Sequence, residues 1–107
     1  MKFSALIITI VPGLVSGWHL QLYKDELYKN VIVDRSGTVG QPCKDLSNPN
    51  AASSMHWDNG ALGCNVLLYN GYSCEGDLLG DAKYRDWHLP RFSSAANDKV
   101  NSYKINC

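Results

Sequence analysis

An internal repeat is the feature that most constrains how this chain can fold. Residues 20–30, LQLYKDELYKN, return 46 positions later as residues 66–76, VLLYNGYSCEG. Each copy is followed by a short segment of similar composition: tail one, residues 49–54 (PNAASS), and tail two, residues 97–102 (NDKVNS). A repeat of this size is one supersecondary unit, so the chain is expected to build a single domain from two copies of that unit.

The N-terminus has the pattern of a secretory signal peptide over residues 1–17. Lys2 supplies a positive charge, residues 3–11 form an apolar core, and a cleavage site follows Gly17. The apolar run is shorter than the roughly 20 residues of a transmembrane helix, so no membrane span is expected. The sequence therefore predicts a secreted, extracellular protein whose domain comprises residues 18–107.

Charge and cysteine content narrow the class of protein. Ten Lys and Arg balance ten Asp and Glu, which gives no general attraction to nucleic acid. Four cysteines in a small secreted domain predict two disulfides, and the residues alone leave three pairings open. They lack the close Cys-x-x-Cys pairs of a structural zinc site. The cysteines are Cys43, Cys64, Cys74 and Cys107.

The hydrophobic pattern predicts an all-β fold. Leu20 and Leu22 alternate with polar neighbours, as a half-buried strand requires, and Val66 and Leu68 repeat this in the second copy. Turn-forming residues separate such runs, and no segment carries a helix-length apolar stripe. Short, evenly spaced strands of this kind indicate a β-sandwich or a small barrel.

The repeat resembles the Greek-key motif of the βγ-crystallin family. In that motif a folded hairpin carries an aromatic residue, then one further residue, then a glycine. In the first copy Tyr28 stands at the aromatic position and Asn30 at the glycine position. In the second copy these positions are Cys74 and Gly76. Asparagine is the residue that best tolerates positive φ after glycine, so Asn30 fits its place. Cys74 departs from the aromatic, and we interpret it as a disulfide that replaces ring packing.

The resemblance covers both copies and implies a disulfide-stabilised β-sandwich of two Greek-key motifs. Ser54 and Ser102 match the serine that closes each family motif. Motif one is expected over about residues 18–58 and motif two over about residues 64–107, with each sheet holding three strands of one motif and one of the other. The implied disulfides are Cys64–Cys107 and Cys43–Cys74. Some other disulfide-linked β fold is the alternative.

The resemblance also implies calcium binding by the tails. In family members that bind calcium, the tail reads Asn/Asp-Asn/Asp-x-x-Ser/Thr-Ser, and its oxygen ligands suit Ca²⁺. The first site carried over comprises the Ala51 carbonyl, the Ser53 hydroxyl and Asp98; the second comprises the Lys99 carbonyl, Asn101 and Asn50. Pro49 and Asn101 depart from the pattern, so the second site is expected to be degenerate and the first weak, at about 10⁻⁴–10⁻³ M. Purely structural tails are the alternative.

No catalytic motif is present in the sequence, although His56 and His88 each adjoin a tryptophan and lie near an aspartate. We therefore expect no enzymatic activity. Residues 87–92 are the segment most suggestive of partner contact, because they mix aromatic, apolar and cationic groups. An ordinary buried connection is the alternative. The candidate contact residues of this segment are Trp87, His88, Arg91 and Phe92.

The functional expectation is a monomeric binding protein that acts on an extracellular protein or a cell-surface component. Its general character resembles small secreted fungal proteins, so an effector-like or killer-toxin-like, antimicrobial role is the first hypothesis. A protease inhibitor of the Greek-key type is the second, and a calcium-stabilised structural or coat protein is the third.

Overall fold

A computed structural model describes residues 16–107, so nearly all of the expected signal peptide lies outside the described residues. These residues form eight β-strands and one 3-10 turn, Tyr72–Cys74. The strands are β1 Trp18–Asp25, β2 Lys29–Gly37, β3 Gln41–Asp45, β4 Ser54–Asp58, β5 Asn65–Tyr69, β6 Leu78–Asp81, β7 Trp87–Leu89 and β8 Ser102–Asn106. The all-β prediction is confirmed.

The strands form two four-stranded antiparallel sheets with the orders β2-β1-β4-β7 and β3-β8-β5-β6. Strands β1 to β4 belong to the first copy of the repeat and β5 to β8 to the second. The third strand of the first copy, β3, therefore lies in the sheet of the second copy. The third strand of the second copy, β7, lies in the sheet of the first. This exchange is the two-Greek-key sandwich that the family resemblance implies.

The two copies share their unusual backbone conformations. Residues 27, 28 and 30 have φ of 60°, 62° and 61°, and residues 73, 74 and 76 have φ of 57°, 55° and 81°. Positive φ is uncommon outside glycine, and only Gly76 of these six is a glycine. The same strained hairpin thus occurs twice, 46 positions apart, with Asn30 and Gly76 in equivalent places.

A buried serine fastens each hairpin to the sandwich. The Ser54 hydroxyl donates to the Asp25 carbonyl at 2.6 Å and accepts from the Tyr28 N–H at 3.1 Å. In motif two, Ser102 donates to the Gly71 carbonyl at 2.6 Å and accepts from the Cys74 N–H at 2.9 Å. Each hydroxyl thereby satisfies two backbone groups of its hairpin.

The core lies between the sheets and is built from the inward residues of both motifs. Alternation along β1 buries Trp18, Leu20 and Leu22, and β5 contributes Val66 and Leu68 in the same way. Trp18 and Trp57 stack with ring centroids 6.0 Å apart. The other buried apolar residues are Leu46, Ala52, Met55, Cys64, Ala82, Phe92, Val100, Tyr103 and Ile105.

Two disulfides reinforce this sandwich, Cys43–Cys74 and Cys64–Cys107, with Cα–Cα distances of 5.8 and 4.2 Å. Cys74 holds in motif two the place of Tyr28, whose ring packs edge-on against that of Tyr23 with centroids 5.7 Å apart. Because Cys43 belongs to β3, the first disulfide joins the two copies of the repeat covalently. Within residues 16–107 no helix is long and apolar enough to span a membrane.

Candidate metal centre

The fold brings the two tails together. The Ser53 hydroxyl of tail one donates to Asp98 Oδ1 of tail two at 3.0 Å. The backbone N–H of Asp98 donates to the Ala52 carbonyl, also at 3.0 Å. Ser53 and Asp98 are the side chains that the resemblance assigns to the first calcium site, and they are direct neighbours.

A further oxygen near this pair has no partner. Asn97 Oδ1 is buried and accepts no hydrogen bond from any residue of the described range 16–107, while its Nδ2 donates to Asp98 Oδ2 at 3.4 Å. A buried acceptor without a donor is rare and calls for an explanation, such as a bound water molecule or an ion. Carboxylate, hydroxyl and amide oxygens are the ligands that Ca²⁺ prefers. The residues around Ser53 therefore fit a calcium ion.

The equivalent place in the other half is closed by an amide. Asn101 Oδ1 accepts from the Asn50 N–H at 2.9 Å, and its Nδ2 donates to Asn50 Oδ1 at 3.0 Å and to the Asn70 carbonyl at 2.6 Å. Asn101 is 8% exposed. Its NH₂ group occupies the position from which a cation would bind these two oxygens. The residues at this second site do not fit a calcium ion.

The remaining predicted ligands are backbone groups of the tails. Ala51 is half-buried, and in the sequence it lies between Asn50 of the closed site and Ser53 of the first site. Lys99 is exposed, and its N–H donates to the Ala96 carbonyl at 3.1 Å. Asn50 and Asp98 hold equivalent places in the two tails and share a left-handed backbone, with φ of 56° and 57°. The Asp98 carboxylate contacts the Ser53 hydroxyl, whereas the Asn50 amide contacts the Asn101 amide.

The candidate partner-contact residues divide between the surface and the interior. His88 and Arg91 are exposed, and Arg91 Nε lies 3.7 Å from Glu26 Oε1. Trp87 is half-buried, whereas Phe92 is only 7% exposed because its ring lies in the core. Trp87 and Phe92 both line an apolar cavity of about 150 Å³. Contact with a partner is thus open to His88 and Arg91, and Phe92 acts in packing.

Sequence reasoning did not single out Asn97 or the Asn70 carbonyl as members of these sites. Asn97 holds the first place of the family tail pattern, which was the available signal. The Asn70 carbonyl carried no signal, because a backbone oxygen is recognised only when the fold places it.

Comparisons with known proteins agree on the fold. No protein-family model matches the chain, and no curated protein is similar to it in sequence. Among solved structures, a βγ-crystallin domain from Clostridium beijerinckii is similar with a TM-score of 0.59 and 20% identity, over 82% of this chain and 97% of that chain. One from Flavobacterium johnsoniae is similar with a TM-score of 0.56 and 20% identity, over 80% and 91%. The chain therefore has a βγ-crystallin-like fold.

Proposed function

We propose that this chain is a secreted, non-enzymatic βγ-crystallin-like protein that binds one calcium ion between its tails and acts by binding an extracellular target. The observation that carries the calcium proposal is the contact of Ser53 Oγ with Asp98 Oδ1 at 3.0 Å. The orphaned Asn97 Oδ1 beside this pair supports it.

The proposed ion would stabilise the fold because its ligands come from both copies of the repeat. Ser53 precedes β4 of motif one, and Asp98 precedes β8 of motif two. A cation bound to both would offset the charge of Asp98 and hold the two tails together. It binds only the folded state, in which these residues meet, and therefore stabilises that state by mass action.

Calcium is expected to raise the melting temperature of the protein, and Asp98→Asn is expected to reduce the rise, because calcium affinity depends on the number of charged ligands. At a hundredfold excess over Kd the stabilisation is about 2.7 kcal/mol, which corresponds to roughly 10 °C or more for a domain of this size. Glu75→Gln is the matched control, because Glu75 is also exposed and the substitution removes the same charge. Calorimetric titration with CaCl₂ and thermal melting measure both effects.

Two results would contradict the calcium proposal. One is the absence of both heat and a melting shift at about 10 mM Ca²⁺, well above the affinity range of extracellular calcium modules. The other is an Asp98→Asn variant that binds calcium as the Glu75→Gln variant does.

The target proposed is a protein or surface component of a host or a competing organism. A small domain with two disulfides is suited to an oxidising extracellular medium, and the exposed His88 and Arg91 are the proposed contact residues. Growth inhibition of competitor cells by the purified protein, weakened in the His88→Ala/Arg91→Ala variant, is the expected result. Protease inhibition without an effect on growth would indicate the inhibitor class instead, and neither effect would indicate a structural protein.

A further inference from the structure

The outer face of the first sheet carries two histidines and an aspartate that converge. His56 and Asp58 lie on β4 and point away from the core, because the residue between them, Trp57, is fully buried. His88 lies on β7 directly opposite His56, as its antiparallel partner. Side chains opposite each other on adjacent strands share a face and lie in contact. We call His56, Asp58 and His88 the His–Asp–His cluster.

The potential ligand atoms of the cluster lie close to one another. The two imidazole rings stack with centroids 3.9 Å apart and planes inclined by 9°. His88 Nε2 lies 3.2 Å from Asp58 Oδ1, and His56 Nδ1 lies 4.0 Å from Asp58 Oδ2. One ligand atom from each residue lies within 4.8 Å of the other two. Ligands of a tetrahedral zinc ion stand about 3.3 Å apart, given bonds of about 2.0–2.2 Å. An imidazole binds a metal in the plane of its ring, so at least one of the two stacked rings must turn about its Cβ–Cγ bond before both nitrogens reach one ion.

The backbone holds these ligands in place. Both strands are paired in the sheet, with His56↔His88 and Trp57↔Trp87 in register, and β4 is also paired with β1 on its other side. The Tyr28 ring packs edge-on against His56, with centroids 5.7 Å apart. Metal sites whose ligands stand on strands are more precisely held than sites on loops. The His56 and His88 side chains are 36% and 43% exposed, so an ion can reach them from solvent.

The donor set selects the kind of metal. Two imidazole nitrogens and one carboxylate oxygen suit zinc and the divalent first-row transition metals, whereas calcium takes oxygen ligands almost exclusively. Three protein ligands leave a fourth position for water or for a group from another molecule. We propose that the His–Asp–His cluster binds a divalent transition metal ion such as Zn²⁺, at a site separate from the proposed calcium site.

The third histidine of the chain provides an internal control. His19 is the cross-strand neighbour of Asp58 on β1 and shares the outer face of the sheet. Its Nε2, however, is paired with Asp34 Oδ1 on β2 at 2.6 Å, and this hydrogen bond lowers the pKa of Asp34. His19 is thus engaged on the opposite side and is no member of the cluster. If cleavage follows Gly17, the new terminal amine and His19 would together form a competing metal site, which makes this control necessary.

The test is calorimetric titration of the tag-free, disulfide-bonded protein with ZnCl₂. We expect one ion per chain, with affinity at least about tenfold weaker in His56→Gln and in His88→Gln, since even loss of a ligand's supporting contact costs that much. His19→Gln and Asp98→Asn should bind zinc as the unaltered chain does. The imidazole NMR signals of His56 and His88, and not those of His19, should shift with zinc.

Other outcomes would overturn the proposal. These are no saturable binding up to millimolar zinc, equal affinity in the His88→Gln variant, or a loss in His19→Gln alone, which would place the ion at the N-terminus. Melting curves without zinc establish that each variant is folded. Loss of zinc binding in Asp98→Asn would also contradict the separateness of the two sites, whereas failure of calcium binding with retained zinc binding concerns only the proposed function.

Discussion

Replacing Cys64 by alanine and Cys107 by serine is expected to lower the free energy of unfolding by roughly 2–5 kcal/mol. The disulfide joins the residue before β5 to the residue after β8, across 43 positions of sequence. Chain entropy alone assigns about 4 kcal/mol to a loop of this length, because the link restricts the unfolded chain. Urea denaturation, read at its midpoint and slope, measures the loss.

The second disulfide supplies the matched comparison. Cys43 and Cys74 are separated by 31 positions, so the same entropy argument predicts a similar loss for the Cys43→Ser/Cys74→Ala variant. This variant additionally frees β3 from the hairpin of motif two. A loss below about 1 kcal/mol in both variants would show that the disulfides do not stabilise the fold in the way described.

Truncation of the two equivalent core leucines is expected to have a comparable effect. Leu22 of β1 and Leu68 of β5 hold the same place in the two copies and are 0% and 2% exposed. Leu22→Ala and Leu68→Ala should each lower the free energy of unfolding by about 2–5 kcal/mol, through lost burial and the cavity that remains. Chemical denaturation of the oxidised protein measures this loss in each variant.

Leu62→Ala is the control for these truncations, because Leu62 is 63% exposed in the connection between the motifs. Its replacement should change stability by no more than about 0.5 kcal/mol. A small effect at Leu22 or Leu68, equal to that at Leu62, would mean that the inward faces of the two sheets do not form a common core.

The architecture was predictable because the repeat resembles a known motif whose special positions all lie within one copy. Asn30 and Gly76 stand where the backbone requires positive φ, and Ser54 and Ser102 stand where a hydroxyl must satisfy the hairpin. Asn30 and Gly76 meet their requirement through their own backbone tolerance, whereas each serine bonds a hairpin 26 to 31 positions earlier within its own copy. A single sequence therefore carries them.

The candidate sites were less predictable, because they depend on contacts between the copies. The His–Asp–His cluster forms because β7 of motif two pairs with β4 of motif one. This pairing brings together Asp58 and His88, which are 30 positions apart in the sequence. The burial of Phe92, likewise, follows from how the connection after β7 packs onto the sandwich. Composition left both partner contact and burial open for this ring, and its 7% exposure reflects the tertiary packing.

The difference between the two tail sites also depends on contacts that the sequence does not reveal, and it rests on a single residue. Asn101 could be identified in the sequence as a departure from the calcium-binding pattern. That its NH₂ group donates to Asn50 Oδ1 and to the Asn70 carbonyl is evident only from the structure. The substitution at this ligand position thus closes the site, because the Asn101 amide places hydrogen-bond donors where a cation would bind.

Calcium stoichiometry in the unaltered chain and in the Asn101→Ser variant tests the central claim most directly. The substitution gives tail two the sequence NDKVSS, removes the donors that close the second site and restores a hydroxyl at the place equivalent to Ser53. Calorimetry should give one Ca²⁺ per chain for the unaltered protein and two for the variant. Two ions in the unaltered chain, or none in either protein, would contradict the claim that one tail site is open and the other is closed by Asn101.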